Sequence, residues 1–213
     1  MRLANGKRIA DEISARGWAC CEQFVTRELA VALRDEACAS QAHGEFQAAA
    51  VGSGRRRAVR PEVRGDQTLW LTEPYAPAVQ ILVRELELLR LELNRTLTLG
   101  LFDLDLHFAC YRPGSAYVRH FDQSGGDAAR TLSLVLYLND DWREEEGGAL
   151  RLYFGEGAEA SSKDLLPEAG RLVLFLSARF AHEVLPATRE RLSVSGWFRR
   201  RESDGAGRAL WAI

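Results

Sequence analysis

The sequence lacks any long hydrophobic segment, which argues against a membrane-spanning helix. Its longest fully apolar runs are about five residues, as in 172–176, whereas a spanning helix needs about 20. Residues 1–13 are polar and charged, without the apolar stretch or cleavage pattern of a secretory leader. We therefore expect a protein that neither crosses a membrane nor carries an export signal.

An excess of one charge is also absent. The 28 Lys and Arg residues nearly balance the 30 Asp and Glu residues, giving a net charge of −2 and an isoelectric point near 6.1. No overall field therefore attracts the chain to nucleic acid or to an anionic membrane. The charge balance argues against a nucleic-acid partner, so local features must indicate what the protein binds.

Cysteines are few and show no metal-binding spacing. Cys20, Cys21, Cys38 and Cys110 include no C-x-x-C pair, and adjacent Cys20 and Cys21 suit a disulfide framework poorly. Zinc ligation by cysteine is not expected. The pattern indicates a reducing compartment, and we predict a cytoplasmic protein.

Neither an internal repeat nor a linker divides the sequence, so a single domain is predicted over residues 1–213. Within it, about 1–98 are expected to form a helical support and about 99–201 a strand-rich catalytic core. The support includes a Gly-, Pro- and Arg-rich loop over 52–66.

Helices are predicted at two places in the support. The first forty or so residues read as helix, and a long helix is predicted to start near Pro77, where apolar residues recur at helical spacing. Residues 46–51 weakly indicate a short strand.

After Gly100 the sequence changes to short segments with strand-like alternation. The clearest are 104–111, 131–138, 149–154, 171–176 and 191–198. Side chains alternate across a strand, so 131–138 and 191–198 each have one apolar face and one face of polar and aromatic residues. Two explanations stay open: a sheet with one solvated side, or a barrel whose helices cover the apolar outside and whose interior carries the function.

Two histidines and one aspartate form a candidate metal site. His120 and Asp122 lie two residues apart in YVRHFD, so on an extended segment both side chains point the same way. His182 follows the apolar segment 171–176. Two imidazoles and one carboxylate with open coordination positions form the facial triad of non-haem Fe(II) oxygenases, although the same ligands also suit zinc.

Residues near this triad favour iron over zinc. Arg191, nine positions after His182, lies on the polar face of the last predicted strand, and a guanidinium is a natural bidentate partner for a carboxylate co-substrate. Tyr137, on the polar face of another strand, offers a hydroxyl to the same carboxylate. A zinc hydrolase has no need of this inward-facing pair.

Five segments in this order make the pattern specific. They are RGDQTLWL from Arg64, ACYRPGSAYVRHFD from Ala109, LYLNDDW from Leu136, GGALRLYF from Gly147 and AHEVLPATRERLSVSGWF from Ala181. These segments are spread over about two-thirds of the chain. Through them as a set, the sequence resembles the prolyl 4-hydroxylase group of the Fe(II)- and 2-oxoglutarate-dependent oxygenases. The closest resemblance is to the hypoxia-inducible-factor prolyl hydroxylases and their bacterial relatives.

The resemblance implies an α+β fold: a double-stranded β-helix, or jelly-roll and cupin-like barrel, with N-terminal and flanking helices packed on one sheet. It implies Fe(II), 2-oxoglutarate and O₂ as cofactor and co-substrates, with ascorbate as a candidate auxiliary reductant. His120, Asp122 and His182 would ligate iron. Arg191 and Tyr137 would hold the distal carboxylate of 2-oxoglutarate.

The resemblance also assigns further residues to the site. Tyr111 would line the co-substrate pocket, and Trp197 would wall the site. Tyr117 and Arg130 would lie near the substrate entrance, and Arg64 is a further candidate for substrate contact within the arginine-rich loop. His43 and His107 are expected to have no direct role, although His107 stands where the animal enzymes carry an apolar side chain. The turn between Tyr111 and His120 is about one residue shorter than in those enzymes.

The expected activity is hydroxylation of a prolyl residue in a protein, with succinate and CO₂ as co-products. The resemblance to the bacterial relatives implies translation elongation factor Tu as a candidate partner. Hydroxylation of a nucleic acid or a free amino acid at the same iron site stays open, as does a binding or sensor module without catalysis. The intact triad and the intact Arg191 argue against the last of these.

Overall fold

The computed structural model describes residues 3–52, 58–123, 128–155 and 161–201. Its α-helices are α1 (Leu3–Arg16), α2 (Arg27–Ala42) and α3 (Pro77–Leu97). The first strands are β1 (Trp18–Cys21), β2 (Gln47–Ala48), β3 (Ala50–Val51), β4 (Ala58–Val59), β5 (Asp66–Trp70) and β6 (Leu101–Tyr111). The later strands are β7 (Tyr117–His120), β8 (Arg130–Tyr137), β9 (Leu150–Phe154), β10 (Ser161–Leu165), β11 (Leu172–Leu176), β12 (His182–Val184) and β13 (Arg191–Arg200).

Two antiparallel sheets face each other. The large sheet has the strand order β1-β11-β8-β13-β6-β5-β2, and the small sheet has the order β10-β9-β12-β7. Apolar side chains of both sheets meet between them, including Phe175 from the large sheet and Leu152 and Val184 from the small one. The predicted α+β class and two-sheet barrel are therefore confirmed.

The helices cover the outer face of the large sheet. Leu132, Leu134 and Leu136 of β8 pack into the helix-side core, whereas Tyr137 of the same strand packs between the sheets. Of the two explanations for the alternation in this strand, the structure supports the barrel. Its apolar outer face is covered by helices, and its polar face lies inside.

Helix α3 begins at Pro77, as the sequence predicts. Proline suits the first position of a helix because its missing N–H would have no partner there. The backbone N–H groups of Ala78 and Val79 donate to the Glu36 carboxylate at 2.8 and 3.3 Å, so a side chain of α2 caps α3. One stripe of α3 is buried against the sheet and the other helices: Ala78, Val79, Leu82, Leu86, Leu89 and Leu93.

The prediction of continuous helix over the first forty residues is wrong in one place. Strand β1 separates α1 from α2, because Trp18 to Cys21 pair with the edge of the large sheet in register Trp18↔Phe175. The weak strand predicted over 46–51 is present as two short strands, β2 and β3.

The arginine-rich loop is only partly described. Arg55, Arg56 and Arg57 lie outside the described residues. The loop's C-terminal stem, residues 63–65, covers the edge of β7: the Gly65 N–H donates to Ala116 O at 2.8 Å, and the Val118 N–H donates to Val63 O at 2.9 Å. The strand that ends in His120 is therefore bonded on its outer side as well.

None of the described helices has the length and apolarity needed to cross a membrane. All four cysteines are free thiols.

Candidate active site

A cavity between the two sheets collects most of the predicted site residues. The predicted residues in its wall are Arg64, Tyr111, Tyr117, His120, Asp122, His182, Arg191 and Trp197. Tyr137 and Arg130 are not in the wall, but each contacts a residue that is: Tyr137 packs against Arg191, and Arg130 against Trp197. The structure thus brings the whole predicted set to one place.

The three candidate metal ligands converge because β7 and β12 are neighbours. His182 pairs directly with His120 in the strand register, and Asp122 follows β7 by two residues. Ligand atoms from all three side chains lie within 4.8 Å of one another. The Nε2 atoms of His120 and His182 each lie 3.6 Å from a different oxygen of Asp122, a spacing at which one cation can contact all three.

Both imidazoles are oriented by the backbone. The Nδ1 of His120 lies 2.9 Å from Val118 O, and the Nδ1 of His182 lies 3.2 Å from Phe180 O. A carbonyl oxygen only accepts, so each Nδ1 carries the proton and each Nε2 keeps its lone pair. The two histidines therefore present Nε2 to the space beside Asp122, which is how second partners commonly fix metal-binding imidazoles.

The electrostatics of the three groups suit a cation. Burial lowers the pKa of His182 to about 4, against the opposing effect of Asp122, so its ring is neutral at pH 7 and able to ligate. Burial tends to raise the pKa of Asp122, but His182, His120 and a hydrogen bond from Ser133 outweigh it and hold that pKa well below its usual range. The site thus combines an ionised carboxylate with a neutral imidazole.

Arg191 carries a buried positive charge in the wall of the cavity. Its side chain is 1% exposed, and its Nε donates to Gly148 O at 2.9 Å. Its guanidinium carbon lies 5.1 Å from the ring centroid of Tyr111 and 5.0 Å from that of Tyr137. Over the part of the chain that is described, no carboxylate forms a salt bridge with it. A desolvated guanidinium without an anion is costly, so this pocket fits an anionic ligand.

Tyr137 supplies a second polar group beside Arg191. Its hydroxyl is buried and has no hydrogen-bond partner among the residues that the structure describes. Burial raises the pKa of Tyr137 to about 12, with Arg191 opposing part of that effect. The hydroxyl therefore stays protonated at pH 7 and can donate to a carboxylate next to the guanidinium.

Gly148 makes room for Arg191, a role that the sequence analysis did not identify. Its φ is +71°, and a Cβ there would lie 2.9 Å from Ala187 Cβ, 3.0 Å from Trp142 Cζ2 and 3.4 Å from Arg191 Cδ. Only glycine combines this backbone conformation with so close an approach. The GG pair that precedes β9 was the available signal.

These residues fit iron and 2-oxoglutarate together. Two imidazole nitrogens and one carboxylate are the donor set of mononuclear Fe(II) sites that leave positions open for co-substrate and O₂. The buried, unpaired Arg191 and the unpartnered Tyr137 hydroxyl fit the far carboxylate of a dicarboxylate that reaches toward the triad.

Aromatic rings also border the cavity. The Arg130 guanidinium carbon lies 3.6 Å from the Trp197 ring centroid. The Tyr117 ring stacks on His120 at 3.7 Å between centroids. Arg64, expected to contact substrate, forms two hydrogen bonds of 2.7 and 2.9 Å with the buried Asp66 carboxylate. Its guanidinium is thus engaged within the protein itself.

The two remaining histidines occupy different surroundings. His43 is the exposed C-cap of α2. His107 lies in the cavity wall between Trp70 and Trp197, with ring centroids 4.9 and 5.5 Å away. Its Nδ1 is buried without a hydrogen-bond partner over the described part of the chain, and burial lowers its pKa to about 3. It is a neutral ring in an aromatic stack.

Three comparisons identify relatives. The family model described as the 2OG-Fe(II) oxygenase superfamily matches residues 106–199. Egl nine homolog 1 of Mus musculus is 30% identical over 196 residues, covering 87% of this chain and 47% of the mouse protein. The chain thus spans about half the length of the Egl nine homolog 1 proteins that it matches.

Two solved structures match over nearly the whole chain. A crystal structure of a Pseudomonas putida prolyl-4-hydroxylase is 40% identical with a TM-score of 0.83, covering 92% of this chain and 100% of that one. A Trichoplax adhaerens prolyl hydroxylase, solved with a peptide of the hypoxia-inducible-factor oxygen degradation domain, is 25% identical with a TM-score of 0.82, covering 93% of this chain and 92% of that one. The chain belongs to the 2OG-Fe(II) oxygenase superfamily, in its prolyl 4-hydroxylase group.

Proposed function

We propose that this protein is an Fe(II)- and 2-oxoglutarate-dependent dioxygenase that hydroxylates a prolyl residue in a protein substrate. The observation that carries this proposal is the buried, unpaired guanidinium of Arg191 in the same cavity as the His120–Asp122–His182 cluster. A metal-binding cluster alone also suits hydrolysis. A buried cation in the same cavity, able to bind a carboxylate, is what an oxygenase of this kind requires in addition.

Each group of the chain has a defined task in this reaction. His120, Asp122 and His182 hold the iron, and Arg191 with Tyr137 holds the distal carboxylate of 2-oxoglutarate, while Tyr111 lines the pocket. When bound, iron with 2-oxoglutarate and O₂ supplies an oxidant that puts one oxygen atom into a substrate C–H bond and leaves succinate and CO₂. Leu150, Phe175 and Val184 make part of the cavity wall apolar, and limited access of water would protect the reacting groups from side reactions.

The substrate side is proposed from the cavity mouth and from the relatives. Trp197 and Tyr117 give the cavity an aromatic wall, with Arg130 packed against Trp197, and such a wall suits a proline ring in an extended segment. The Trichoplax relative was solved with a peptide, which supports a protein substrate here. We propose translation elongation factor Tu as the first candidate, and the cytoplasm, where four free thiols persist, as the compartment.

The test is direct oxidation of a protein. The protein is incubated with Fe(II), 2-oxoglutarate, ascorbate and either purified elongation factor Tu or a cytoplasmic extract, and oxygen added at proline is located by mass spectrometry. His120→Ala removes a proposed ligand, and His43→Ala is the matched control because His43 is exposed and distant in sequence from the triad.

We expect a modified proline with the native protein and with His43→Ala, and none with His120→Ala. Succinate without a modified proline would move the substrate to a free amino acid or a nucleic acid. Binding of 2-oxoglutarate without succinate would leave a binding module and contradict the proposal.

A further inference from the structure

Asp122 rests on a pair of buried serines from the opposite sheet. Ser133 Oγ lies 2.6 Å from Asp122 Oδ2, and Ser177 Oγ lies 2.9 Å from Ser133 Oγ. Both serines are buried, at 2% and 0% exposure. Ser133 belongs to β8, and Ser177 directly follows β11, so both come from the large sheet. The two histidines come from the small sheet.

The hydrogen bonds in this chain of groups have one possible direction. An ionised carboxylate only accepts, so the Ser133 hydroxyl donates its single hydrogen to Asp122. Ser133 Oγ must then accept from the Ser177 hydroxyl. The two bonds therefore point from Ser177 through Ser133 to Asp122, and in a buried site each strengthens the next.

This arrangement treats the two carboxylate oxygens of Asp122 differently. Each oxygen lies 3.6 Å from an imidazole Nε2, Oδ1 from His120 and Oδ2 from His182. Oδ2 also accepts the short bond from Ser133, whereas Oδ1 accepts no hydrogen bond from the residues that the structure describes. A carboxylate that used both oxygens on the metal would occupy one of the positions that co-substrate and O₂ need.

We propose that Ser133 and Ser177 are positioning residues that hold Asp122 as a one-oxygen metal ligand through Oδ1. This inference rests on the proposed iron site. Ser133 acts on the carboxylate itself, and Ser177 acts through Ser133. By engaging Oδ2, the pair fixes the rotation of the carboxylate and keeps the other coordination positions open.

A purely structural role for the serines is separable from this one. The Ser177 backbone is bonded independently of its hydroxyl: its N–H donates to Thr131 O at 3.1 Å, and its carbonyl accepts from Gln123 N–H at 3.4 Å. Substitution by alanine keeps these backbone bonds and removes only the hydroxyl. A change in metal binding would therefore report the hydroxyl chain.

The experiment compares Co(II) binding to the full-length protein and its variants. Ser133→Ala breaks the bond to Asp122, Ser133→Thr restores a hydroxyl, and Ser177→Ala removes the first donor of the chain. Ser193→Ala is the matched control, because Ser193 is also a fully buried strand serine but bonds to Ser195 at 3.3 Å instead of to Asp122. Affinity is measured by titration, and the visible spectrum of bound Co(II) reports its coordination number.

We expect Ser133→Ala to weaken Co(II) binding by about 10- to 100-fold, the usual cost of losing a group that orients a metal ligand. Its Co(II) spectrum should shift toward higher coordination as Asp122 becomes free to use both oxygens. Ser177→Ala should show a smaller loss in the same direction. Ser133→Thr and Ser193→Ala should bind within about threefold of the native protein.

Each contrary result has a distinct meaning. Native affinity and spectrum in Ser133→Ala, or an equal loss in Ser193→Ala, would overturn the positioning role while leaving the metal site intact. Failure of the native protein to bind Co(II) would overturn the metal site, and the inference with it. Thermal unfolding of each metal-free variant verifies that a lost affinity is not a lost fold.

Discussion

At the scale of single residues, Arg191 is a buried cation without a carboxylate partner among the residues that the structure describes. Its guanidinium has lost its hydration and has tyrosine rings, not a carboxylate, around it. Proteins tolerate such a group where a ligand completes it, because an unpaired buried charge opposes folding. Arg191 should therefore lower the free energy of unfolding of the ligand-free protein and raise that of the protein with a carboxylate ligand bound.

This gives a prediction for Arg191→Lys. Lysine keeps the charge but loses the planar fork that matches a carboxylate. We expect 2-oxoglutarate affinity to fall by about 10- to 100-fold, because a hydrogen bond to a charged group contributes about 1.5–3 kcal/mol. Isothermal titration calorimetry with 2-oxoglutarate in the presence of Mn(II) measures this affinity. Arg189→Lys is the control, since Arg189 pairs with Glu146 at the surface, and unchanged affinity in Arg191→Lys would contradict the assignment.

The residues found from sequence and those missed differ in kind. His120, Asp122, His182 and Arg191 stand in spaced patterns whose chemistry can be read without coordinates. Ser133 and Ser177 lie 44 residues apart, and nothing in the sequence places their hydroxyls together. Ser133 was at least on the predicted polar face of its strand. Ser177 acquires its position only from tertiary packing, and for Gly148 the GG pair was a signal that did not show its contact with Arg191.

At the scale of elements, the turn before β9 decides whether Arg191 has space. Gly148 and Gly100 have similar positive φ values, +71° and +66°, but a Cβ at Gly100 would meet nothing within 4 Å. A substitution at Gly100 therefore reports backbone strain alone, whereas one at Gly148 reports backbone strain and steric contact together.

We predict that Gly148→Ala lowers both stability and 2-oxoglutarate affinity, because its Cβ would press on Ala187, Trp142 and Arg191. Gly100→Ala should cost only the left-handed backbone, about 1–2 kcal/mol, and leave 2-oxoglutarate affinity unchanged. Urea unfolding of both variants measures the free energy of unfolding, and calorimetric titration measures the affinity for 2-oxoglutarate. Equal effects on affinity would show that Gly148 has no special relation to Arg191.

Helix α3 has one face buried against the rest of the protein and one face exposed to solvent. Leu86 is fully buried in the helix-side core, while Leu88 is 49% exposed. We expect Leu86→Ala to lower the free energy of unfolding by about 2–5 kcal/mol through lost burial and a cavity, and Leu88→Ala by less than about 1 kcal/mol. Chemical denaturation of both variants is the measurement, and a similar loss at both positions would contradict the described packing of α3.

Elements were predictable where their pattern is long. Helix α3 and strands β6, β8 and β13 each have eight or more residues at one period, so local sequence identifies them, and the five-residue strand β11 is identified by its unbroken run of apolar residues. Strands β1, β7, β10 and β12 have three to five residues each. They are strands because neighbouring strands bond to them, and local sequence does not contain that information. The helix prediction failed at Trp18–Cys21 for this reason.

At the scale of the whole molecule, buried neutral histidines make stability depend on pH. Burial, with a further contribution from Arg64, lowers the pKa of His107 to about 3 against the opposing effects of Asp66 and Asp122. The unfolded chain has an ordinary histidine pKa near 6.5. Between these values the unfolded state binds more protons than the folded state, so stability falls as pH falls.

We predict that His107→Phe reduces this acid sensitivity. In metal-free protein, the loss of unfolding free energy from pH 6 to pH 5 should be smaller in the variant by up to about 1.4 kcal/mol, the contribution of one proton per pH unit. Urea unfolding at the two pH values measures it. His43→Phe, at an exposed position, should keep the native slope, and an unchanged slope in His107→Phe would show that His107 is accessible to protons in the folded state.

The division of the chain into a helical support over 1–98 and a catalytic core over 99–201 stays a prediction. The structure shows that the first part also contributes β1, β2 and β5 to the large sheet. A truncation that removes residues 1–98 would therefore remove three strands of the large sheet together with the helices.

The cover on β7 has a practical consequence for anyone who shortens this protein. Residues 63–65 bond to the outer side of the strand that ends in His120, and α1 to α3 lie over the leucines of β8. A fragment of residues 106–199, the part that the family model matches, would keep every proposed metal ligand but expose a free strand edge and a bare leucine face. Such surfaces recruit other chains, so the fragment should precipitate on expression even though its ligand set is intact.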